Sequence, residues 1–314
     1  MFADFIKALD RNYIIAYLFP VIIFITLTYM IVSTFFPNAL REIISSDISS
    51  QSNIVDILWN TFVIFIVSMF ISIIMMITNL ELIRFLEGYS SIWKKILRPK
   101  QIKKFEDIQN KLEKAKRDRD EEVRVRKVAS EETRRIYREL KSKYRNNFPP
   151  RKEYILGTEF GNVIRSFELY PMEMYGIDSI AIWDRITCLV PKEHIDYLSD
   201  AKASVDFAIN ILYLMMIILI EYAIMLVITC CISQAIILWW IPIFAIGLAF
   251  FAYRMAISSA RKWGLAVKSV FDLYRYDLLK KLDIDIPRTL DEEKKIWREL
   301  NQAFLYWDIP NIKK

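Results

Sequence analysis

Residues 59–79, WNTFVIFIVSMFISIIMMITN, carry no charged side chain and are apolar along most of their length. A helix of roughly 20 apolar residues crosses the hydrocarbon core of a bilayer, which is about 30 Å thick. Trp59 stands at one end, where an aromatic side chain suits the interface between lipid and water. The stretch therefore predicts a transmembrane helix over residues 57–80.

Three other runs of the chain are long and apolar enough to cross a membrane. With the first stretch, they give the predicted spans 14–36, 57–80, 205–230 and 235–253. Phe35, Phe36 and Pro37 end the earliest run where a signal peptide would need small residues, so we expect an uncleaved span there. Only the third span carries an ionisable side chain deep inside, Glu221.

The composition also separates apolar residues from charged ones along the chain. Hydrophobic residues make up 54% of the chain and charged residues 25%, and these two kinds of residue fall into separate blocks. This division is typical of a polytopic membrane protein with a soluble part. We therefore predict an all-α membrane protein whose four transmembrane helices form two hairpins, residues 14–80 and 205–253, with a helical cytoplasmic region.

The basic residues predict the orientation. Lys7 and Arg11 precede the first span, and lysine and arginine are dense between the second and third spans and after the fourth. The loop after the first span has Arg41 alone, and the turn between the last two spans has no basic residue. The positive-inside rule then places both termini in the cytoplasm. We expect a multi-pass protein of the inner or plasma membrane, in contact with membrane lipid.

The segments outside the spans have distinct characters. They are an interfacial amphipathic segment (1–13), a cytoplasmic central region (81–204) with a charged part (101–147) and a compact module (151–200), and C-terminal cytoplasmic helices (254–314). The charged part is predicted to be one long helix or a hairpin that bends near residues 118–120. Acidic residues are interleaved with its basic ones, which argues against nucleic-acid binding.

The third span predicts intramembrane functional residues. Asp206, Asn210 and Glu221 recur at helical spacing and share one face. A carboxyl group inside the hydrocarbon core is costly, so Glu221 should face protein or water. Two interpretations stay open: Glu221 lines a water-filled path for cations or protons, or it is a protonated acid hydrogen-bonded between helices.

A second group of candidates lies in the glycine-containing stretch 157–191 of the compact module. Arg165, Asp178, Asp184 and Arg185 are charged residues in an otherwise apolar setting. Either they form an ion-pair network that holds the module at the inner membrane face, or they contribute to a ligand or ion site. The position of the stretch suits a coupling element better than a catalytic one.

No catalytic residues, cofactor site or metal site are predicted. The chain lacks a nucleophile elbow, a phosphate-binding glycine loop and an HExxH motif. His194 is the only histidine, and Cys188 is the only thiol near it, too few ligands for zinc. Cys230 and Cys231 suggest no disulfide framework. We expect that the protein is not an enzyme.

The chain after the fourth span has a clear local pattern. Apolar residues keep a helical period from Ile257 to Leu282, so the last span is predicted to continue as a helix that packs on the central module. Pro287 should end it. Thr289 and Glu292 then have the spacing of a capping box that begins a final helix.

Several motifs resemble a family of uncharacterised prokaryotic four-span integral membrane proteins. They are YLFPVIIFI (17–25), LELIRFLEGY (80–89), GTEFGNVIRSFELYPMEMYGIDSIAIWDRI (157–186), VFDLYRYDLLKKL (270–282) and IPRTLDEEKKIW (286–297). The resemblance covers most of the chain except the charged part. It implies the four-span architecture and attaches no named activity.

These features lead to two functional hypotheses. The first is a homo-oligomeric ion channel or pore-like assembly controlled by its cytoplasmic region, for which Glu221, Asn210 and Asp206 are the pore candidates. The second is a membrane-anchored scaffold or sensor that binds a cytoplasmic protein partner or anionic lipid. The charged part and the net charge of +6 favour the second hypothesis.

Overall fold

The computed structural model describes residues 10–35, 54–230 and 239–306. All regular elements in these ranges are helices. Four of the helices are long and apolar enough to cross a membrane, which confirms the predicted all-helical fold and the number of span-length helices. Most of the interfacial segment 1–13, the loop after the first span and Cys231 lie outside the described residues.

The described part of the chain contains eleven α-helical segments. They are α1 (Arg11–Phe35), α2 (Ile54–Glu87), α3 (Ser91–Ile96), α4 (Arg98–Arg126), α5 (Glu131–Asn147), α6 (Glu159–Glu168), α7 (Tyr170–Tyr175), α8 (Ser179–Thr187), α9 (Lys192–Cys230), α10 (Trp240–Lys281) and α11 (Leu290–Tyr306). The span-length helices are α1, α2, α9 and α10.

The chain folds into two compact units. The first, called the span unit, contains the described residues up to Ile83 and those from Lys202 to Ala256. The second, called the polar unit, contains the residues from Arg84 to Ala201 and those from Ile257 onward. The three longest helices, α2, α9 and α10, contribute residues to both.

The span unit exposes large apolar side chains. Phe70 and Ile77 of α2 are 65% and 72% exposed, whereas Ile31, Ile209 and Met215 are completely buried between helices. A surface so rich in exposed apolar residues is unfavourable in water, but it suits a lipid environment. The surface therefore agrees with the hydropathy of the four long helices.

The charged part of the polar unit forms a helical hairpin of α4 and α5. The chain reverses at residues 127–130, where Lys127 has a left-handed φ of 63°. Glu122 accepts hydrogen bonds from the backbone N–H of Ser130 at 2.7 Å and from Thr133 Oγ1 at 3.0 Å. The expected bend near residues 118–120 is therefore wrong, because this cap and the left-handed residue place the turn later in the chain.

Thr158 connects two helix ends in the polar unit. Its hydroxyl donates to the carbonyl oxygen of Leu86, in the last turn of α2, at 2.7 Å. The same oxygen accepts from the backbone N–H of Gly161 at 2.9 Å and so caps the start of α6. Gly88, with a left-handed φ of 86°, follows the last residue of α2 and ends that helix.

Gly161 lies in direct contact with the end of α2. A Cβ atom at this position would be 2.1 Å from the carbonyl oxygen of Glu87. Because no larger residue fits this distance, the absence of a side chain allows α6 to pack on the α2 backbone. Gly264 of α10 likewise allows a close approach, in this case of the Phe167 side chain, since a Cβ at residue 264 would be 2.4 Å from Cδ1 of Phe167.

The final helix, α11, is held by polar contacts on both sides. The capping box is confirmed: Glu292 N–H donates to Thr289 Oγ1, and Thr289 N–H donates to Glu292 Oε2, both at 3.3 Å. Asn301 donates to the carbonyl oxygen of Gly176 at 2.8 Å and accepts from the N–H of Asp178 at 3.0 Å. These contacts dock α11 on the turn between α7 and α8.

Candidate functional site

The polar face of α9 meets α1 inside the span unit. Asp206 is 4% exposed and Asn210 is completely buried. Tyr213, one turn further, donates to the carbonyl oxygen of Leu82 in α2 at 2.9 Å. Buried polar groups in a membrane segment need partners within the protein, and α9 finds them on two neighbouring helices.

A wide turn in α1 provides the partner for Asn210. Pro20 has no N–H, so the carbonyl oxygen of Ala16, four residues earlier, loses its normal helical donor. The preceding residues Ile14–Leu18 form a π-helical turn. The Asn210 amide donates to the Ala16 oxygen at 2.7 Å and replaces the missing donor. Pro20 of α1 and Asn210 of α9 therefore act together: the proline removes a backbone donor, and the asparagine side chain supplies another.

Asp206 lies one turn before Asn210 and also contacts α1. Its Oδ2 accepts from Tyr17 Oη at 2.9 Å and from Lys202 Nζ at 2.7 Å. Its other oxygen, Oδ1, and the Oδ1 of Asn210 are buried without a donor. Two such acceptors, one a carboxylate oxygen, could bind water or a cation through oxygen ligands.

We expect Asn210→Leu to lower the free energy of unfolding by about 1–3 kcal/mol, because the Ala16 carbonyl would lose its only side-chain donor. The loss of unfolding free energy should be smaller in a Pro20→Ala background, because residue 20 then has an N–H that can donate to the Ala16 carbonyl oxygen. Unfolding of the full chain in mixed detergent micelles measures both values. Equal costs in the two backgrounds would contradict this account of the π-helical turn.

Asn79→Leu is a matched control for this comparison. Asn79 is a buried asparagine of α2, 4% exposed, and its amide nitrogen has no acceptor in the described part of the chain. Its replacement removes no bond to α1. We therefore expect a smaller cost than for Asn210→Leu, and the same cost with Pro20 or Ala at position 20.

Glu221 occupies a different position from the other two intramembrane candidates. Thr28 Oγ1 of α1 donates to Glu221 Oε2 at 2.9 Å, but the side chain is only half-buried. Ile217 and Ile224, on the same face of α9, are 45% and 52% exposed. Glu221 therefore lies at the edge of an open apolar helix face, whereas Asp206 and Asn210 are enclosed within the span unit.

The four charged candidates of the compact module are not brought together. Asp178 caps α8 by accepting from the N–H groups of Ile180 and Ala181 at 2.9 and 3.1 Å. Arg165 pairs with Glu168 at 3.2 Å, within the same helix.

Arg185 lies over the ring of Phe304, with 4.0 Å between its guanidinium carbon and the ring centroid. The carbonyl of Asp184 accepts from Thr187 and Cys188 in the final turn of α8. The expected ion-pair network among Arg165, Asp178, Asp184 and Arg185 is therefore wrong. No two of these four residues pair with each other in the described part of the chain, and the α8 cap follows the usual preference for aspartate at a helix N-terminus.

Sequence reasoning missed the α1 partners of the α9 polar face. Tyr17 and Thr28 are ordinary members of an apolar run, and only Pro20 hinted that a carbonyl there would need an outside donor. Across residues 10–35, 54–230 and 239–306, no three His, Cys, Asp or Glu side chains group as metal ligands.

Comparisons of the chain with protein-family models, curated proteins and solved structures find no match. The resemblance to a four-span prokaryotic family therefore stays a prediction from the motifs.

Proposed function

We propose that this protein is a homo-oligomeric cation channel or pore-like assembly of the cell membrane, with Glu221 at the path and the cytoplasmic region controlling it. The single observation that carries the proposal is the half-buried carboxyl group of Glu221, which has one Thr28 donor and lies beside exposed isoleucines. The hypothesis of a membrane-anchored scaffold or sensor stays a prediction.

Physical chemistry favours a second copy of the chain on this face. A carboxyl group that contacts lipid costs several kcal/mol whether it is charged or protonated without full hydrogen bonding. Either water in a shared path or a neighbouring protomer removes that cost. Because Ile217, Ile224 and Ile228 flank Glu221 and are all exposed, they offer an apolar contact around it.

Asp206 and Asn210 have a supporting part in the proposal. Their bonds to Tyr17 and Ala16 hold α9 against α1, so they set the orientation of the face that carries Glu221. Their unpaired oxygens are chemically suited to a cation, but they lie inside the protomer. We therefore assign the path to Glu221 first.

Recordings of the purified protein in planar bilayers test the conduction. We expect cation-selective currents from the wild type. Glu221→Gln should reduce both the conductance and the preference for potassium over chloride, because it removes the half-buried carboxylate that the proposal places at the path. Asp277→Asn, which changes an exposed carboxylate of the polar unit, is the control and should leave the currents unchanged. The absence of conductance under every ionic condition would reject the channel.

Cysteine cross-linking tests the assembly separately. With Cys188, Cys230 and Cys231 changed to serine, Ile224→Cys should form disulfide-linked dimers in the membrane when an oxidant is added. Ile77→Cys, on the exposed face of α2, is the comparison, and it should cross-link much less. Equal cross-linking at the two positions would count against a specific contact on the Glu221 face.

A further inference from the structure

The polar unit contains a cavity that the proposed channel does not use. It has a volume of about 500 Å³ and lies among α5, α7, α10 and the segment after α5. Small-molecule sites commonly have volumes of roughly 300–1,000 Å³. Tyr144, Phe148, Met174 and Leu265 supply an aromatic and apolar wall. The cavity is therefore large enough, and apolar enough, for a small organic ligand.

Lys268 brings an unbalanced positive charge to this cavity. Its ammonium group has only two acceptors, the carbonyl oxygen of Arg145 at 3.4 Å and Asn146 Oδ1 at 3.5 Å. Both acceptors are neutral and both distances are long for a hydrogen bond. In the described part of the chain, no carboxylate pairs with Lys268. An ammonium group has three donors, so Lys268 can bind a further acceptor.

The two carboxylates that line the cavity, Glu173 and Asp272, are already engaged. Glu173 pairs with Arg151 at 3.9 Å. Asp272, one turn after Lys268, accepts from Tyr170 Oη at 2.8 Å and from Tyr175 Oη at 2.7 Å. Burial, reinforced by these bonds to Asp272, raises the pKa of both tyrosines, so they remain neutral donors. Asp272 is thus hydrogen-bonded to the tyrosines, while the basic residues Lys268 and Arg145 also line the cavity.

From this arrangement we infer that the cavity binds a small organic phosphate, with the phosphate on Lys268 and Arg145 and an aromatic or apolar body against Tyr144, Phe148 and Leu265. A lysine ammonium is a common phosphate ligand, and an arginine fork can bond two phosphate oxygens at once. The same group occurs on soluble metabolites and on lipid headgroups, and the two sources can be distinguished by competition.

Pyridoxal 5′-phosphate is a suitable probe because it carries a phosphate, an aromatic ring and an aldehyde. The aldehyde carbon forms a C=N bond with Lys268 Nζ and releases water, and added borohydride supplies the hydride that reduces it to a stable secondary amine. Lys268 belongs to the part of α10 beyond its apolar segment, and burial together with Arg145 lowers its pKa to about 8. Near neutral pH it therefore holds more free amine than an ordinary lysine does.

The experiment treats the full chain in nanodiscs with the probe and borohydride, and the labelled peptides are mapped by mass spectrometry. We expect Lys268 to be labelled on the order of tenfold or more faster than Lys262, an exposed lysine of the same helix. Pyridoxal without the phosphate should label Lys268 much more slowly. Arg145→Gln should reduce the labelling, whereas Arg135→Gln, on the same helix, should not.

Competition identifies the source of the phosphate. Inorganic phosphate should slow the labelling of Lys268. Protection by adenosine monophosphate would assign a soluble ligand, and stronger protection by phosphatidate in the nanodisc would assign a lipid headgroup. Labelling of Lys268 no faster than that of Lys262, equal labelling by pyridoxal, or no effect of inorganic phosphate would overturn the inference. These outcomes do not depend on whether the protein conducts ions.

Discussion

Gly161→Ala is expected to destabilise the polar unit by at least about 3 kcal/mol, near the upper end of the cost of overpacking. The added Cβ would be 2.1 Å from the carbonyl oxygen of Glu87 and 2.8 Å from its Cα. Both atoms belong to the backbone of α2, so no side-chain rotation can relieve the clash. α6 would have to move away from the end of α2, and the cap provided by Thr158 would be lost with it.

Thermal unfolding of the full chain, followed by circular dichroism in detergent, measures this effect. Gly247→Ala is the matched control, because it also introduces alanine into a helix and meets no atom within 4 Å. Alanine is favoured over glycine in a helix by about 1 kcal/mol, so the control should be neutral or slightly stabilising. A loss for Gly161→Ala no larger than that of the control would disprove the close contact.

Arg275→Met is expected to cost about 3–5 kcal/mol, because it leaves a buried carboxylate without its charged partner. Arg275 Nε donates to Glu293 Oε1 at 2.8 Å, and the two side chains are 14% and 4% exposed. Tyr276 donates to the other oxygen at 3.1 Å, and the fully buried Trp297 lies beside the pair. The pair joins α10 to α11, so its loss should release α11.

Limited proteolysis reports the release, since cleavage in residues 282–289 between α10 and α11 should become faster than in the wild type. The double variant Arg275→Met with Glu293→Leu should regain part of the stability, because no buried charge is then left alone. The control is Asp277→Asn, which breaks the exposed pair with Lys280 and should change stability by less than about 0.5 kcal/mol. Similar losses for the buried and the exposed pair would contradict this expectation.

Helix ends were predictable from short patterns. Gly88 ends α2, and Thr289 with Glu292 forms the expected capping box, because both depend on residues only a few positions apart. Asp178 follows the same rule, although its charge in an apolar setting predicts either an ion-pair network or a ligand site. Its short side chain reaches the N–H groups of the next residues before it can reach a distant arginine.

The polar contacts across the span unit were not predictable to the same degree. The helical spacing of Asp206, Asn210 and Glu221 predicts one polar face, but it does not distinguish residues that are enclosed by other helices from a residue on an open face. That distinction depends on α1. Its π-helical segment directs the Ala16 carbonyl oxygen toward Asn210. The sequence shows that Pro20 removes a backbone hydrogen bond. It does not show that Asn210, 190 positions later in the chain (from 20 to 210), provides the replacement donor.

The sequence by itself determined the all-helical class and four span-length helices of this protein, because the length and hydropathy of a run are local properties of the chain. Only the tertiary structure decided which polar residues are enclosed, where the charged hairpin reverses, and that Lys268 lines a cavity without an ion pair to any carboxylate of the described residues. Those features depend on side chains far apart in sequence that packing brings within a few ångströms, where hydrogen bonds, burial and charge are decided together.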